Sequence, residues 1–193
     1  ASHNTAVGQN ALSSNNTGTN NTGIGSAALA SNTTGDGNTA VGRSALIENQ
    51  TASNNTGLGF EALKLTTTGS SNSAVGKSSL GSNTTGAQNT SMGHNALVLN
   101  TTASNNTGLG YQALFANTTG DSNTAIGSGA LDANTTGVSC VAVGFNALGA
   151  NTTANQNIAV GQNALGTNTT GTQNVAIGHD ALLSATTGND NTA

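Results

Sequence analysis

The chain contains almost none of the residues from which globular cores and charged surfaces are usually built. Among its 193 residues there is no proline and no tryptophan, and aromatic residues make up 2% and charged residues 5%. Asn, Thr, Gly, Ser and Ala dominate instead. Such a composition usually indicates a disordered or low-complexity segment, because too little apolar surface is available to offset the conformational entropy of folding.

The scarcity of charge and cysteine excludes further classes of protein. The formal net charge is −4, and Arg43, Lys64 and Lys77 are the only Lys or Arg residues, so no basic stripe could neutralise nucleic-acid phosphates. No apolar run approaches the length of a membrane span, and we expect no membrane insertion by this segment. One cysteine, Cys140, cannot form a disulfide framework within the chain.

What the chain does have is a strict repeat. A glycine recurs every 17 residues from Gly8 to Gly178 without insertion or deletion, an aliphatic residue or Met precedes it, and a leucine follows four positions later. We number the positions of each repeat 1 to 17 from its first Asn, so that Asn4 is position 1. A fixed period gives every unit the same neighbours, which is typical of a solenoid and not of a disordered chain. We expect residues 1–193 to be a single repeat domain, cut from a longer fibre protein because the repeat runs to both ends.

The residues within each repeat favour strands. Position 2 is Thr or Ser in the early repeats and Val141, Ile158 or Val175 in later ones, an exchange between residues of which most are β-branched and suit a strand. No apolar stripe of helical period exists. The sequence therefore predicts an all-β fold, a parallel β-solenoid (β-roll) of about eleven 17-residue coils, with a short strand over positions 2 to 5. Position 15 is a corner where glycine is expected for its left-handed conformation, although alanine replaces it three times.

The same alternation leads to an expected core and an expected interface. Positions 2 and 4 are expected to face inward, giving a thin core of one Val/Ile-type residue and one Leu per coil, lined by Ala and by the unvarying Thr of position 14. Position 3 would then face outward, and it is never larger than Ala or Ser. Either it lies in a cramped corner of the coil, or another chain packs close to it. The candidate subunit interface consists of Ala6, Gly23, Ala40, Gly57, Ala74, Ser91, Gly108, Ala125, Ala142, Ala159 and Ala176.

The variable column at position 6 is a candidate binding surface. It carries most of the bulky side chains of the protein, as expected for an exposed corner, and in consecutive repeats Phe60 could lie between the cations Arg43 and Lys77. The alternative is a free corner that accepts any residue. The candidate exposed binding column comprises Arg43, Phe60, Lys77, His94, Tyr111 and Phe145.

No constellation of catalytic or metal-binding residues emerges. The seven acids are scattered over the repeat, and His94 and His179 share a column but lie five coils apart, about 24 Å by strand spacing. We therefore expect neither an enzyme nor a cofactor. Cys140 replaces the first Asn of its repeat, either as a small buried substitute or, alternatively, as half of an interchain disulfide.

Three later repeats resemble a known family. Val141-Ala142-Val143-Gly144, and the equivalent segments 158–161 and 175–178, are similar to the Val-Ala-Ile-Gly motif of YadA-like head repeats in trimeric autotransporter adhesins. The longer unit 117–127 resembles repeats of phage and bacterial tail-fibre-like proteins that often end in an endosialidase-type intramolecular chaperone. The resemblance implies a left-handed parallel β-roll, a homotrimer and an extracellular location. This chain has longer coils than the usual YadA-like repeat.

Three functions follow as hypotheses. The first is a non-catalytic structural or adhesive rod, the head or shaft of an extracellular trimeric fibre, whose partners are its own copies and possible cell-surface receptors. The second is an ice-binding solenoid that uses its Thr and Asn ladders; since the two threonines of each pair are adjacent, one of each is expected to point inward. The third is glycan binding through the aromatic corner column.

Overall fold

The computed structural model describes residues 1–193 and is built from β-strands without any helix, so no helical segment could cross a membrane. Eleven three-residue strands follow one another: β1 Thr5–Val7, β2 Thr22–Ile24, β3 Thr39–Val41, β4 Thr56–Leu58, β5 Ser73–Val75, β6 Thr90–Met92, β7 Thr107–Leu109, β8 Thr124–Ile126, β9 Val141–Val143, β10 Ile158–Val160 and β11 Val175–Ile177. They form one parallel sheet in sequence order. Each strand pairs in register with the residues 17 positions on, as Thr5 does with Thr22. The predicted β-solenoid is confirmed.

Hydrogen bonds join successive coils around most of their perimeter. Of 129 backbone hydrogen bonds, only 20 lie within the strands, which are one residue shorter than predicted. Many of the others also link one coil to the next; the amide of Leu29, for example, donates to the carbonyl of Ala45 at 3.1 Å. The solenoid is therefore held by backbone ladders on its turn segments as well as on its sheet.

The expected direction of the strand side chains is wrong. Position 3 faces the interior and positions 2 and 4 face outward; in β3, Ala40 is fully buried whereas Thr39 and Val41 are partly exposed. The residues that fill each coil are the position-9 leucine and the small residues of positions 3 and 8. The Val/Ile-type residue placed in the core by the sequence therefore lies on the surface.

Crowding against leucine explains why position 3 is always small. At Gly23 an added Cβ would lie 3.3 Å from Cγ of Leu12 in the preceding coil and 3.1 Å from the carbonyl oxygen of Ala28. A side chain beyond Ala or Ser would overlap these atoms. The candidate subunit interface at position 3 is therefore wrong, because its residues are enclosed by their own coil from the second repeat onward. Only Ala6, in the first coil, is exposed. The enclosed residues are Gly23, Ala40, Gly57, Ala74, Ser91, Gly108, Ala125, Ala142, Ala159 and Ala176.

The leucine column is buried at the expense of backbone strain. All eleven position-9 leucines have a left-handed backbone, with φ of 52° at Leu12 and 49° at Leu182. That conformation costs a residue other than glycine about 1–2 kcal/mol. Burying a leucine contributes about 1.5–3 kcal/mol, so burial outweighs the strain. Nine of these leucines, from Leu29 to Leu165, are completely buried.

Two columns of buried asparagines connect each coil to its neighbours. At position 1, the side-chain oxygen of Asn21 accepts from the backbone N–H of Asn38 at 2.8 Å, and the amide of Asn38 donates to the carbonyl of Ala52 at 2.8 Å. At position 12, the amide of Asn49 donates both to Oδ1 of Asn32 in the preceding coil and to the same carbonyl of Ala52. These ladders satisfy polar groups that would be costly to bury unpaired.

The position-12 ladder has one internal break. Thr66 takes the place of Asn in the fourth coil, and both its hydroxyl oxygen and Oδ1 of Asn49 are buried without a hydrogen-bond partner. Ala185 ends the ladder in the last coil, and Oδ1 of Asn168 is unpartnered there for the same reason. Each break thus coincides with a residue that has no side-chain amide to donate to the asparagine oxygen of the preceding coil.

Glycine occurs at positions 5 and 15 for different physical reasons. At position 5 the backbone has a positive φ that L-residues rarely adopt, 138° at Gly59, and an added Cβ would lie 2.5 Å from the carbonyl oxygen of Gly76. Position 15 does not have the predicted left-handed conformation. Its glycines are instead crowded by the next coil: a Cβ at Gly35 would meet the carbonyl oxygen of Ala52. Alanine is nevertheless accommodated at Ala52, in the same column.

These distances predict a contrast between two glycines of one coil. Gly59→Ala should destabilise the protein by more than about 3 kcal/mol, since it combines a strained φ with overlap of the next coil's backbone. Gly57→Ala, at position 3, should change the free energy of unfolding by less than about 1 kcal/mol, because other coils carry alanine there. Urea unfolding followed by circular dichroism measures both, and equal effects would contradict the stacking geometry.

Repair of the broken asparagine ladder should stabilise the chain. Thr66→Asn allows the new amide to donate to Oδ1 of Asn49 and to accept from Asn83, which should raise the free energy of unfolding by about 1–3 kcal/mol. Thr68→Asn, two residues away and exposed, is the matched control. The same unfolding experiment tests the pair, and no gain of Thr66→Asn over the control would contradict the ladder account.

Candidate assembly and binding surfaces

An aliphatic stripe runs the length of the solenoid on the outer face of its sheet. We call the position-4 residues the outer stripe: Val7, Ile24, Val41, Leu58, Val75, Met92, Leu109, Ile126, Val143, Val160 and Ile177. All are partly or fully exposed, including Met92 at 53%. At about 4.8 Å per coil, the stripe is about 50 Å long. A continuous apolar stripe of this length on a protein surface is typical of an interaction site.

The neighbouring column extends the stripe at one end. Position 2 points to the same face of the sheet and is Thr or Ser in the first eight coils. In the last three it is Val141, Ile158 and Val175, also partly exposed or exposed. No charged residue occurs at position 2 or 4 in any coil. The outer face of the sheet is therefore uncharged throughout and becomes more apolar toward β11.

The composition of the outer stripe is restricted although it is exposed. Position 6 lies only two residues on and is exposed in most coils, yet it accepts Gln, Ser, Arg, Phe, Lys, His and Tyr. Position 4 accepts only Val, Ile, Leu and Met. Contact with solvent alone does not account for that restriction.

The corner column, defined as the position-6 residues, is exposed as the sequence predicts. Phe60, Tyr111 and Phe145 expose 38%, 52% and 59% of their surface. The guanidinium of Arg43 lies over the Phe60 ring, 5.7 Å from its centroid, and the rings of His94 and Tyr111 are 5.7 Å apart. The predicted second cation on Phe60 is absent, because Lys77 makes no such contact.

A threonine rank forms a second invariant exterior column. Position 14 is Thr in all eleven coils and is exposed in each of them: Thr17, Thr34, Thr51, Thr68, Thr85, Thr102, Thr119, Thr136, Thr153, Thr170 and Thr187. The expectation that these threonines line the core is wrong. None of their hydroxyls forms a hydrogen bond within the chain, whereas the position-13 hydroxyls do: Thr84 donates to the carbonyl of Thr101 at 3.0 Å.

Other exposed polar residues have a role within the chain. In several coils the position-16 side chain accepts a hydrogen bond from the backbone N–H of the preceding coil, as Asp36 does from Thr19 and Asp121 from Ser104, each at 2.6 Å. The hydrogen bond from the Thr19 backbone lowers the pKa of the Asp36 carboxyl below its usual value. These two acids therefore stabilise the stacking of one coil on the next.

Cys140 is the buried substitute that the sequence favours. Its backbone N–H donates to Oδ1 of Asn123 at 2.9 Å, and its Sγ lies 3.3 Å from the carbonyl oxygen of Ala154, where the asparagine amide would be. The thiol is fully buried, and burial raises its pKa above the usual value. The position leaves the sulfur buried inside its own coil and gives it a packing role.

The remaining titratable residues form no cluster larger than a pair. No group of three or more His, Cys, Asp or Glu residues is placed to hold a metal ion. The ion pairs are Lys64 with Glu61 at 3.0 Å and His179 with Asp180 at 3.2 Å, both between residues of the same turn. His94 and His179 remain in their separate coils.

Comparisons with known proteins add no neighbour to this description. No family model matches the chain, and neither a curated protein nor a solved structure matches it at a significant level.

Proposed function

We propose that the chain is a structural and adhesive rod, the head or shaft of an extracellular fibre, in which three copies associate along their length. The observation that carries the proposal is the outer stripe. Eleven aliphatic residues in one exposed line would be covered if the sheets of neighbouring chains faced one another. Burial of about 1.5–3 kcal/mol per aliphatic side chain, repeated at every coil, would add the stability that the thin interior core lacks.

The outer face also favours copies of the same chain in a parallel, in-register arrangement. Position 2 is apolar only in β9 to β11. In a parallel assembly these residues would meet their own equivalents, whereas in an antiparallel one they would oppose Thr39, Thr22 and Thr5. Closed cyclic symmetry brings equivalent strips to a common axis. Three chains, a left-handed coil and an extracellular location are what the resemblance to YadA-like heads and tail-fibre repeats supports.

The mechanism of such a rod is geometric. Its backbone hydrogen bonds link each coil to the next, so the rod is a stiff spacer that presents its exposed columns in straight rows. Because each coil is covered by its neighbours, local opening of an interior coil must break contacts on both sides. A non-catalytic role is consistent with this distribution of residues.

A matched pair of charge substitutions tests the proposed interface. Ile24→Lys with Ile126→Lys places two cations in the outer stripe, where burial without partners costs several kcal/mol and should reduce the particle to one chain. Ser26→Lys with Ser128→Lys adds the same charge two residues away in the same coils, outside the stripe, and should leave a mass of three chains. Light scattering coupled to gel filtration measures both masses.

Two results would contradict the proposal. One is an unmodified chain that has the mass of a single chain at micromolar concentration. The other is a stripe variant whose mass equals that of the control variant while both remain folded by circular dichroism.

The threonine rank supports a second candidate function, ice binding. At position 2, Thr is replaced by Val or Ile in three coils, so a β-branched shape suffices there; at position 14 it never is. The hydroxyl itself is therefore required, and it has no partner within the chain. A rigid row of hydroxyls and methyls at a constant spacing, with no charged residue at position 13 or 14, suits a regular lattice of water.

Thermal hysteresis measures this candidate function directly. The unmodified chain should depress the freezing point below the melting point, and Thr85→Val with Thr102→Val and Thr119→Val should abolish the effect by removing adjacent hydroxyls. Thr90→Val with Thr107→Val and Thr124→Val, on the sheet face, is the control and should retain it. Absence of hysteresis in the unmodified chain would exclude ice binding.

A further inference from the structure

Basic and aromatic residues are concentrated on one edge of the solenoid. The chain has three Lys or Arg, three His and four aromatic residues. Seven of them lie in the corner column, and five occupy consecutive coils. We call these five the cationic strip: Arg43, Phe60, Lys77, His94 and Tyr111. They span about 19 Å at the strand spacing.

Exposure alone does not explain this concentration. Position 11 is also partly or fully exposed in every coil and varies among Ser, Glu, Leu, Ala and Thr, but it contains no basic and no aromatic residue. A corner that merely tolerates any side chain would not collect these two classes in preference to other variable positions. The concentration therefore points to a role for cations and rings together.

The charged groups of the cationic strip are free to bind a ligand. Lys64, outside the strip, is paired with Glu61 at 3.0 Å. Arg43 and Lys77 form no ion pair and donate no side-chain hydrogen bond. The guanidinium carbon of Arg43 lies 5.7 Å from the centroid of the Phe60 ring, and its N–H groups are not bonded within the chain. Lys77 lies between the Arg43–Phe60 pair and the His94–Tyr111 pair. Two free cations about 10 Å apart thus alternate with exposed rings.

We propose that the cationic strip binds a short acidic oligosaccharide, a glycan whose sugar units carry carboxylates. The guanidinium of Arg43 can bind a carboxylate with two parallel hydrogen bonds, and Lys77 supplies a second positive charge. Phe60 and Tyr111 offer apolar faces on which the C–H face of a pyranose ring can pack. Two strong cations on a chain of net charge −4 are too few to neutralise the phosphates of a nucleic acid, which disfavours that polyanion.

The site is an open strip, so a single copy should bind weakly. If three chains associate as proposed above, each particle presents three strips, and a glycan-coated surface would be bound with a higher overall affinity through multivalency. That gain depends on the proposed function, whereas binding by one strip does not.

Calorimetric titration of the full chain with linear tetragalacturonate or tetrasialic acid tests the site, with neutral galactotetraose as the reference sugar. We expect binding of an acidic tetrasaccharide that weakens with added salt, and no binding of the neutral one. Arg43→Gln with Lys77→Gln should weaken binding at least about tenfold, and Phe60→Ala with Tyr111→Ala by a similar factor. The controls are Lys64→Gln, a cation outside the strip, and Phe145→Ala, a ring of the corner column beyond it; both should bind like the unmodified chain.

Three outcomes would overturn the assignment. These are failure of the unmodified chain to bind either acidic tetrasaccharide, binding retained by the Arg43/Lys77 double variant, and an equal loss in Lys64→Gln, which would indicate bulk charge. Particle mass measured on the same samples separates the two proposals. A monomeric chain that binds the acidic sugar supports the cationic strip as a binding site and contradicts the trimer. A trimer that binds neither acidic sugar supports the trimer and contradicts the binding site.

Discussion

The structure depends on the close stacking of one coil upon the next. At about 4.8 Å between strands, the position-5 glycine has no room for a Cβ, because the backbone of the following glycine occupies that space. The same spacing brings each buried asparagine within hydrogen-bond reach of the equivalent residue 17 positions away. An insertion of one residue in any coil would displace both contacts. The strictness of the repeat therefore follows from backbone contact and from two amide ladders more than from hydrophobic burial.

The period predicted the solenoid, but it did not predict which face of the strand is inside. Alternation places positions 2 and 4 on one face and position 3 on the other, and both faces are uncharged. The usual rule that the larger apolar residues face inward therefore assigned position 4 to the core, which is wrong. A signal was present: position 4 varies among Val, Ile, Leu and Met, whose volumes differ, whereas close-packed interiors tolerate such changes poorly. Positions 3 and 9 vary far less in volume. The invariance of the position-14 threonine led to a second wrong prediction, because a constant residue was expected to lie in the core.

Other features were predicted correctly because local chemistry determined them. The exposed corner column follows from its tolerance of charged and aromatic residues alike, and Cys140 follows from its place in an asparagine column. The left-handed leucines could not be foreseen, since only burial of the whole column offsets their strain. Once the ladders and the core are assigned, three exterior sets of residues are explained by neither of them. They are the outer stripe, the threonine rank and the cationic strip, and the proposed functions are assigned to them.

Met92 offers the most direct measurement of whether the outer stripe is covered. It is the only methionine of the chain and lies in the middle of the stripe, with 53% of its surface exposed in a single copy. A protein labelled with ¹³C at the methionine methyl gives one signal, whose relaxation by a soluble paramagnetic agent reports contact with solvent. Association through the outer stripe predicts that this signal is protected in the unmodified protein and becomes accessible when Ile24 and Ile126 are replaced by lysine. Full accessibility in the unmodified protein, at concentrations where it is folded, would contradict the account.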